Sequence, residues 1–384
     1  MDAGDTVMRV GFGASVLARG LQLGQLDGIA YYTQELSREL VQMRCELNPV
    51  IFGKAKLETL QGFTTEHWSR FSTNALISAL TGVDHPGRMR GANKIDLFHA
   101  TDHLIPRLRA TPVLATLMDA IPLAHPEWVH SRLRPIQNIL WKKTASWAQH
   151  IVTISEYSKF QIAEHFNIPP RNISVVPLGV DKRYFEALSS QYVGQVLKTY
   201  GLPTSFFLFI GTLQPRKNIL RIIQSHQALP IHMRKAFPLV IVGRNGWDSQ
   251  ELITMMQDAA GREPIQWLGA VSDLEKRALL QSATALVFPS LSEGFGLPVL
   301  EAFASQTPVI TSNTTSLPEV AADAALLVNP MDVAEIANAM QTLIQNENLI
   351  LQLKTLGLSR AQQFTWRACA QATLAVYESM ANFA

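Results

Sequence analysis

The sequence predicts an α/β protein of two doubly wound domains, each a mostly parallel sheet with helices on both faces. Short β-rich runs alternate with segments of helical periodicity through both halves of the chain. Most of these runs are continuously apolar, which is typical of parallel strands buried on both faces. The chain has 384 residues, which exceeds one ordinary core and suits two domains.

The strand-like runs follow one another at regular intervals. In the first half they lie at 7–12, 48–52, 96–99, 112–117, 150–155 and 173–179. In the second half they lie at 206–211, 238–243, 264–269, 284–289, 308–311 and 325–329. Between them are helical patterns such as GIAYYTQELSRELVQM, LRPIQNILWKKTASWA and DLEKRALLQSA.

The alternation stops over 186–203, a more polar stretch that contains no strand-like run, and we predict a hinge there. The last stretch, 364–384, has a helical pattern with no strand after it, so this helix is expected to return to the first domain. We therefore predict a first domain over 1–188, completed by 366–384, and a second domain over 189–365.

Composition excludes several classes of protein. The chain is 47% hydrophobic and 17% charged, which excludes disorder, and its net charge of +2 argues against a nucleic-acid binder. Cys45 and Cys369 are far apart, which fits a reducing compartment and no disulfide framework. Neither a signal-peptide pattern nor an apolar run of about 18 residues occurs, so we expect a cytoplasmic protein.

Cofactor motifs are also missing. The GFGAS turn at 11–15 lacks the third glycine of a dinucleotide fingerprint, since Val16 stands there. The sequence contains no P-loop, Asp-x-Asp, HExxH or CxxC pattern. We therefore expect no redox cofactor and no metal site.

Basic residues are concentrated between positions 70 and 143, where the sequence has ten basic and five acidic residues. Several surround Trp141, namely Arg132, Arg134, Lys142 and Lys143. A basic helix that carries Trp suits contact with anionic lipid or with an acidic substrate. The alternative is a solvated helix packed through Leu133, Ile136, Leu140 and Trp141.

The segment GTLQPRKN (211–218) closes one strand-like run and opens a helix. Gly211 permits a tight turn, after which Arg216 and Lys217 come close to a helix N-terminus. The helix dipole disfavours cations there, so a bound anion such as a diphosphate would explain them. The alternative is a basic surface turn.

The segment SLSEGFGLPVLEAFA (290–304) also follows a strand-like run. Its glycines allow close approach of a ligand to the backbone, and Pro298 suits the first residue of a helix. Glu293 precedes the turn and Glu301 is predicted on the first helical turn. Two such carboxylates suit the paired hydroxyls of a sugar, although Glu301 alone also suits the helix dipole.

Taken in order, these segments resemble the retaining glycosyltransferases of family 4, which have the GT-B fold of two Rossmann-like domains facing a cleft. The resemblance covers almost the whole chain. It is carried by DGIAYYTQEL (27–36), TLMDAIPLAHPEW (116–128), TISEYSKFQI (153–162), VVPLGVD (175–181), GTLQPRKN, WLGAVSD (267–273), EGFGLPVLEA (293–302) and TSNTTSLPEVAADAALLVNPMD (311–332).

The resemblance implies roles for particular residues. Arg216 and Lys217 would neutralise the donor diphosphate, Glu293 would contact hydroxyls of the donor sugar, and Glu301 would hold the nucleotide ribose. The remaining expected binding positions are Phe295, Gly296 and Leu297 for backbone contacts, Leu268, Gly269 and Val271 for the base, and Gly28 and Gly211 for the phosphates. Ser272 and Glu275 instead fit a helix capping box.

One position departs from the family pattern. Many relatives carry His-Asp where this chain has Met118-Asp119, and the resemblance counts Asp119 among the catalytic residues. Methionine cannot reproduce a strong hydrogen bond to the donor sugar. We therefore expect a donor that lacks a 6-hydroxyl, or another histidine such as His99 or His125 in that role, or a Met118 that only packs beneath the site.

The resemblance implies metal-independent transfer of a sugar, with retention, from a nucleotide diphosphate to a hydroxyl of a glycan or polyprenyl-linked oligosaccharide. The GTLQPRKN form favours a mannosyl- or rhamnosyl-type enzyme of cell-surface polysaccharide synthesis, with GDP-mannose as donor and a UDP-sugar as the alternative. We expect it at the inner face of the cytoplasmic membrane, with no nucleic-acid partner. A nucleotide-sugar 2-epimerase and a non-catalytic partner subunit remain alternatives.

Overall fold

The computed structural model describes residues 7–85, 95–128, 134–247, 249–259 and 263–381. The chain divides into two compact units. The first comprises Met1–Gly179 together with Trp366–Ala384, and the second comprises Val180–Thr365.

The first unit is built on a seven-stranded sheet whose neighbouring strands all pair in parallel. In spatial order its strands are β5 (Glu66–Trp68), β2 (Glu46–Phe52), β1 (Arg9–Gly13), β6 (Leu97–Ala100), β7 (Val113–Thr116), β8 (His150–Thr153) and β9 (Ile173–Val175). Each of the six predicted runs overlaps one of these strands. The short β5 and the two-residue hairpin β3 (Thr59–Leu60) and β4 (Phe63–Thr64) were not predicted.

The helices of the first unit cover this sheet. They are α1 (Ser15–Gln22), α2 (Gly28–Gln42), α3 (Phe71–Thr81), α4 (Ile121–Ala124), α5 (Arg134–Ala145), α6 (Glu156–Phe166) and the C-terminal α16 (Trp366–Ala381). Phe98, Val113 and Ile151, from three adjacent strands, are at most 1% exposed. Burying side chains of this size stabilises a fold by roughly 1.5–3 kcal/mol each.

The second unit has a six-stranded parallel sheet. In spatial order its strands are β12 (Ile265–Gly269), β11 (Leu239–Val242), β10 (Phe207–Ile210), β13 (Ala285–Phe288), β14 (Val309–Ser312) and β15 (Leu326–Val328). Its helices are α7 (Ser190–Tyr200), α8 (Ile219–Ala228), α9 (Ile231–Ala236), α10 (Gln250–Ala259), α11 (Asp273–Ser282), α12 (Leu297–Ala304), α13 (Leu317–Ala321), α14 (Val333–Gln345) and α15 (Glu347–Ala361). All six predicted runs of this half overlap strands, and these strands have the doubly wound order of Rossmann-like domains.

The division between the units differs from the predicted boundary at 188. Val180 pairs with Thr365, and the Tyr184 hydroxyl donates to Asp273 at 3.0 Å, so the chain already belongs to the second unit from Val180 onwards. The predicted hinge at 186–203 largely forms α7, which packs against α11. Its apolar face was missed because the stretch is polar overall.

The C-terminal helix α16 packs against α2 of the first unit. The rings of Trp366 and Tyr31 meet edge to face at 5.6 Å between centroids. Deeper in the unit, the Tyr377 hydroxyl lies 2.7 Å from Nδ1 of His99 on β6.

Candidate functional site

The two segments that carry the predicted site follow neighbouring strands of the second sheet. β10 and β13 pair directly, although β11 and β12 lie between them in the sequence. This is the point at which the strand order reverses. In open α/β sheets, ligands bind outside the carboxyl ends of the strands at such a switch point.

Arg216 and Lys217 lie in a single 3-10 turn, Pro215–Lys217, immediately before α8. The turn is attached to the loop after β13, because the Leu291 N–H donates to the Arg216 carbonyl at 2.7 Å. Asn218 follows with a φ of 62°, and its side-chain amide donates to the carbonyls of Pro289 and Pro330 at 2.9 and 2.6 Å. Both cations are thus fixed at the N-terminal end of α8.

The Glu293 carboxylate lies between these two cations. Its Oε2 is 2.9 Å from Nη1 of Arg216, and its Oε1 is 2.6 Å from Nζ of Lys217. Burial raises the pKa of Glu293, but the neighbouring guanidinium and ammonium outweigh burial and lower that pKa to about 2. Two cations against one carboxylate leave a net positive charge, which suits an anion.

Sequence reasoning treated Glu293 and the Arg-Lys pair as separate contacts, one for sugar and one for phosphate. The structure joins them into one network across 77 residues of sequence. No sequence signal shows this pairing, because it depends on β10 and β13 being neighbours in the sheet.

The turn after Glu293 is held in an unusual conformation. Gly296 has a φ of 117°, and a Cβ there would lie 2.7 Å from Cδ2 of Leu317. The Ser316 hydroxyl lies 2.9 Å from the Glu293 carbonyl and 3.0 Å from the Phe295 carbonyl, which leaves its single proton shared between them. These contacts attach the loop to Ser316, the residue that precedes α13.

Glu301 lies on the second turn of α12 rather than the predicted first turn, because that helix begins at Leu297, with Pro298 as its second residue. Its carboxylate accepts from Nζ of Lys276 at 3.0 Å. Burial lowers the pKa of Lys276, but the carboxylates of Glu301 and Asp273 outweigh it and raise that pKa. Lys276 therefore stays charged and holds Glu301 in place.

Tyr184 completes this second cluster. Its ring lies 5.0 Å from Nζ of Lys276, and its hydroxyl donates to Asp273 at 3.0 Å. Burial, followed by the carboxylates of Glu301 and Asp273, raises the pKa of Tyr184 far above its ordinary value. The Tyr184 hydroxyl therefore keeps its proton and remains a hydrogen-bond donor beside the carboxylates of Glu301 and Asp273.

The predicted base-binding positions lie at the end of β12 and just after it. Leu268 and Val271 are partly exposed, and Gly269 between them has a φ of 71°. The Ser272–Glu275 capping box at the start of α11 is present, so that structural prediction is confirmed.

Two glycines after β11 were not predicted as part of the site. A Cβ on Gly243 would lie 1.8 Å from the carbonyl oxygen of Gly211, and a Cβ on Gly246 would lie 2.1 Å from that of Leu213. The loop after β10 therefore lies directly against the loop after β11. The signal was the VGRNG pattern that follows a strand-like run.

The first unit contains the other two predicted residues, Gly28 and Asp119. Gly28 is the first residue of α2, whose N-cap is the Asp27 side chain, and a Cβ on Gly28 would meet nothing within 4 Å. The chain itself therefore does not require glycine there. Oδ1 of Asp119 accepts from the Ile121 N–H at 3.0 Å and so supports the start of α4.

The histidines proposed to replace the missing family histidine differ in their surroundings. His99 is fully buried, with its ring nitrogens 2.7 Å from the Tyr377 hydroxyl and 2.8 Å from Oγ1 of Thr116. Burial lowers the pKa of His99 to about 3. His99 is therefore a neutral core residue, and that version of the hypothesis is wrong. His125 is partly exposed and stacks on Trp128 at 4.0 Å.

Neither metal coordination nor a transmembrane span is found in the part of the chain that the structure describes. Its residues include no group of three or more His, Cys, Asp or Glu side chains that is able to hold a metal ion. Within the same ranges, every helix is too short or too polar to cross a bilayer.

Comparisons with known families match both halves of the chain. Residues 26–184 match the family described as Glycosyltransferase Family 4, and residues 201–359 match the family described as glycosyl transferases group 1. The first match ends a few residues after the division at Gly179 and Val180, and the second match lies wholly within the second unit.

One relative matches almost the whole chain, and another matches about two thirds of it. The chain is 33% identical over 369 residues to the O-antigen chain mannosyltransferase B of Escherichia coli, covering 92% of this chain and 96% of the relative. It is 32% identical over 247 residues to the O-antigen chain mannosyltransferase RfbU of Salmonella typhimurium, covering 64% of each. Among solved structures, Anabaena HepE in complex with UDP and glucose has a TM-score of 0.72 at 14% identity, covering 97% of this chain and all of that one, which supports the fold alone.

Proposed function

This chain is a family 4 glycosyltransferase of GT-B fold, and from that premise we propose that it transfers mannose, with retention, from GDP-mannose to a glycan or lipid-linked oligosaccharide. The observation that carries the donor part is the buried Arg216–Lys217–Glu293 network at the switch point of the second sheet. Mannose is proposed as the sugar because both O-antigen relatives are mannosyltransferases. The proposed donor and the proposed sugar both suit a pathway of cell-surface polysaccharide synthesis.

In the proposed reaction, the diphosphate approaches Arg216 and Lys217 at the N-terminal end of α8. These cations and the nearby backbone N–H groups stabilise the negative charge that develops on the departing diphosphate. Glu293 accepts hydrogen bonds from the donor-sugar hydroxyls, while Glu301, held by Lys276, accepts them from the ribose. No step in this scheme requires a metal ion.

A screen of nucleotides by thermal shift tests the donor part. Purified protein is heated with GDP, UDP, ADP or dTDP and with their mannose or glucose conjugates, with and without EDTA. A ligand at 100 times its dissociation constant adds about 2.7 kcal/mol of stability. We expect a shift with GDP that EDTA does not change and that Lys217→Ala abolishes. A shift with UDP alone refutes the GDP proposal, and no shift with any nucleotide refutes the proposed site.

Turnover tests the reaction itself. We expect GDP release from GDP-mannose to depend on an added glycan acceptor, and linkage analysis of the product to show an α-mannoside. Release of free 2-epimerised sugar without an acceptor would instead support an epimerase. Binding of GDP-mannose without any turnover would support the partner-subunit alternative.

Met118 tests the choice of donor sugar. It is partly exposed and lies beside Asp119 at the end of β7. Restoring the family residue with Met118→His should change the ratio of kcat/KM between 6-hydroxy and 6-deoxy donors. An unchanged ratio would leave Met118 as a packing residue only.

A further inference from the structure

Helix α3 of the first unit has the opposite amphipathicity from an ordinary surface helix. Its buried side chains are small or polar, namely Asn74, Ala75 and Ser78. Its exposed side chains include three large aliphatic residues, Leu76, Ile77 and Leu80, which are 51%, 47% and 79% exposed. A helix in water normally turns its apolar stripe towards the core.

Helix α5, which packs beside α3, continues this exposed apolar surface. Ile136 and Ile139 lie one turn apart and are 64% and 70% exposed. Lys142 and Lys143 follow on the next turn of the same face and are also exposed. The alternative prediction, a helix packed through Leu133, Ile136, Leu140 and Trp141, is therefore wrong for Ile136.

The same alternative is confirmed for Trp141, which packs inwards from α5. Its ring meets Phe166 edge to face at 5.2 Å and packs against the first unit's core. If this basic helix contacts lipid, Trp141 is therefore not the side chain that does so. The aliphatic side chains of α3 and α5 take that position. Arg132, Leu133 and the side chain of Arg134 lie outside the part of the chain that the structure describes.

The charge of this surface is of one sign. Neither Phe71–Thr81 nor Arg134–Ala145 contains an aspartate or glutamate, in a chain whose overall charges nearly balance. Arg70, immediately before α3, is exposed as well. A partner for this surface must therefore be apolar next to a layer of negative charge.

We propose that α3 and α5 dock on the surface of an anionic lipid bilayer. The docking surface consists of Leu76, Ile77, Leu80, Ile136, Ile139, Lys142 and Lys143. The aliphatic side chains enter the boundary between headgroups and acyl chains, and the lysines contact lipid phosphates. A single apolar protein partner would satisfy the aliphatic residues but not the acid-free, lysine-bearing rim.

Vesicle co-sedimentation tests this proposal without reference to sugar transfer, so its failure is distinct from failure of the proposed function. The full-length protein is mixed with phosphatidylcholine vesicles that do or do not contain phosphatidylglycerol. We expect the protein to bind only the anionic vesicles. High salt should weaken this binding, because dissolved ions screen the attraction between the lysines and the lipid phosphates. Absence of binding to anionic vesicles at low salt would overturn the proposal.

Two double variants separate the apolar and electrostatic contributions. Lys142→Gln with Lys143→Gln should weaken binding about 25-fold, since each lysine near an anionic surface contributes about fivefold. Leu80→Ser with Ile139→Ser should weaken it by about tenfold or more. Neither variant should lower the melting temperature, because these side chains are exposed.

Matched variants elsewhere serve as controls. Lys54→Gln with Lys56→Gln removes two exposed lysines of the same unit, and Leu351→Ser removes a leucine that is 62% exposed in the second unit. Both controls should bind anionic vesicles within about threefold of the original protein. Equal losses in the controls and the docking-surface variants would overturn the proposal. So would a dimer in light scattering that Leu80→Ser with Ile139→Ser dissociates, since a second copy would then be the partner.

Discussion

Replacing Glu293 by glutamine tests whether one carboxylate holds both cations of the site. The folded protein lowers the pKa of this carboxyl from 4.5 to about 2. At about 1.4 kcal/mol per pKa unit, the ionised carboxylate stabilises the fold by about 3 kcal/mol at neutral pH. That agrees with the roughly 3–5 kcal/mol lost when one partner of a buried ion pair is removed. The Glu293 side chain is 9% exposed, so little solvent screening reduces this value.

Differential scanning calorimetry measures this loss. For a domain of 150–250 residues, about 2–4 °C of melting temperature corresponds to 1 kcal/mol, so the Glu293→Gln transition should fall by about 6–12 °C at pH 7. Because the folded pKa is depressed, the stabilisation is complete above pH 4.5 and is lost as pH falls towards 2. The difference in unfolding free energy between the original protein and Glu293→Gln should therefore decrease to about 1 kcal/mol at pH 3.

The control is Glu186→Gln, which removes a carboxylate that is 67% exposed and 3.5 Å from Arg277. The Glu186 carboxylate is mostly exposed, so solvent screens its attraction to the buried Arg277 and its loss should cost about 0–1 kcal/mol. That variant should therefore melt close to the original protein. GDP should stabilise Glu293→Gln more than the original protein, because its phosphates then meet two cations with no competing carboxylate. Equal melting temperatures at pH 7, or a gap that does not narrow at pH 3, would refute the proposed network.

Three further predictions follow from the same structure. Lys276→Gln should raise the KM for the donor about tenfold with little change in kcat, because Glu301 loses its ion pair with Lys276. Steady-state kinetics at varied donor concentration measures both constants. Gly296→Ala should destabilise the second unit by about 1–3 kcal/mol because of its φ of 117°, while Gly194→Ala within α7 should stabilise it slightly; urea unfolding compares them. Burial lowers the pKa of His99 to about 3, so the folded protein holds this ring neutral and loses stability as pH falls below 6.5. The melting temperature should therefore decrease between pH 7 and pH 4, and His99→Gln should make that decrease smaller.

Each of these predictions has a result that contradicts it. Lys198→Gln, on the exposed face of α7, should leave the donor KM unchanged, so a tenfold rise in both lysine variants would remove the argument for Lys276. Equal unfolding midpoints for the two glycine variants would contradict the strain at Gly296. A pH dependence unchanged by His99→Gln would assign the slope to other groups, such as His85, whose pKa burial lowers to about 4.

The sheets were predictable from sequence because every core strand is a local signal. Runs such as ALVF in β13 and LVIV in β11 are buried on both faces, so each is continuously apolar. The capping box of α11 was predictable for the same reason, since its two residues lie three positions apart.

What could not be predicted depends on distant contacts. The pairing of Lys217 with Glu293 joins positions 76 residues apart through two neighbouring strands. The burial of His99 depends on Tyr377, which reaches β6 only because α16 packs on the first unit. The inverted face of α3 was missed because FSTNALISALT gives no strong helical periodicity, so sequence alone does not indicate which side faces the core.

The charge state of Glu293 also bears on the proposed mechanism. A carboxylate with a pKa of about 2 is too weak a base to take a proton from an acceptor hydroxyl near neutral pH. Its two oxygens are already engaged by Arg216 and Lys217, which also makes it a poor nucleophile. In the proposed retaining reaction, the departing phosphate is therefore the better base, and Glu293 acts by orienting the donor. Replacing it by glutamine should then reduce kcat without removing the low-pH limb of the pH–rate profile, where an essential base becomes protonated. If Glu293 were the general base, the same replacement would remove that limb.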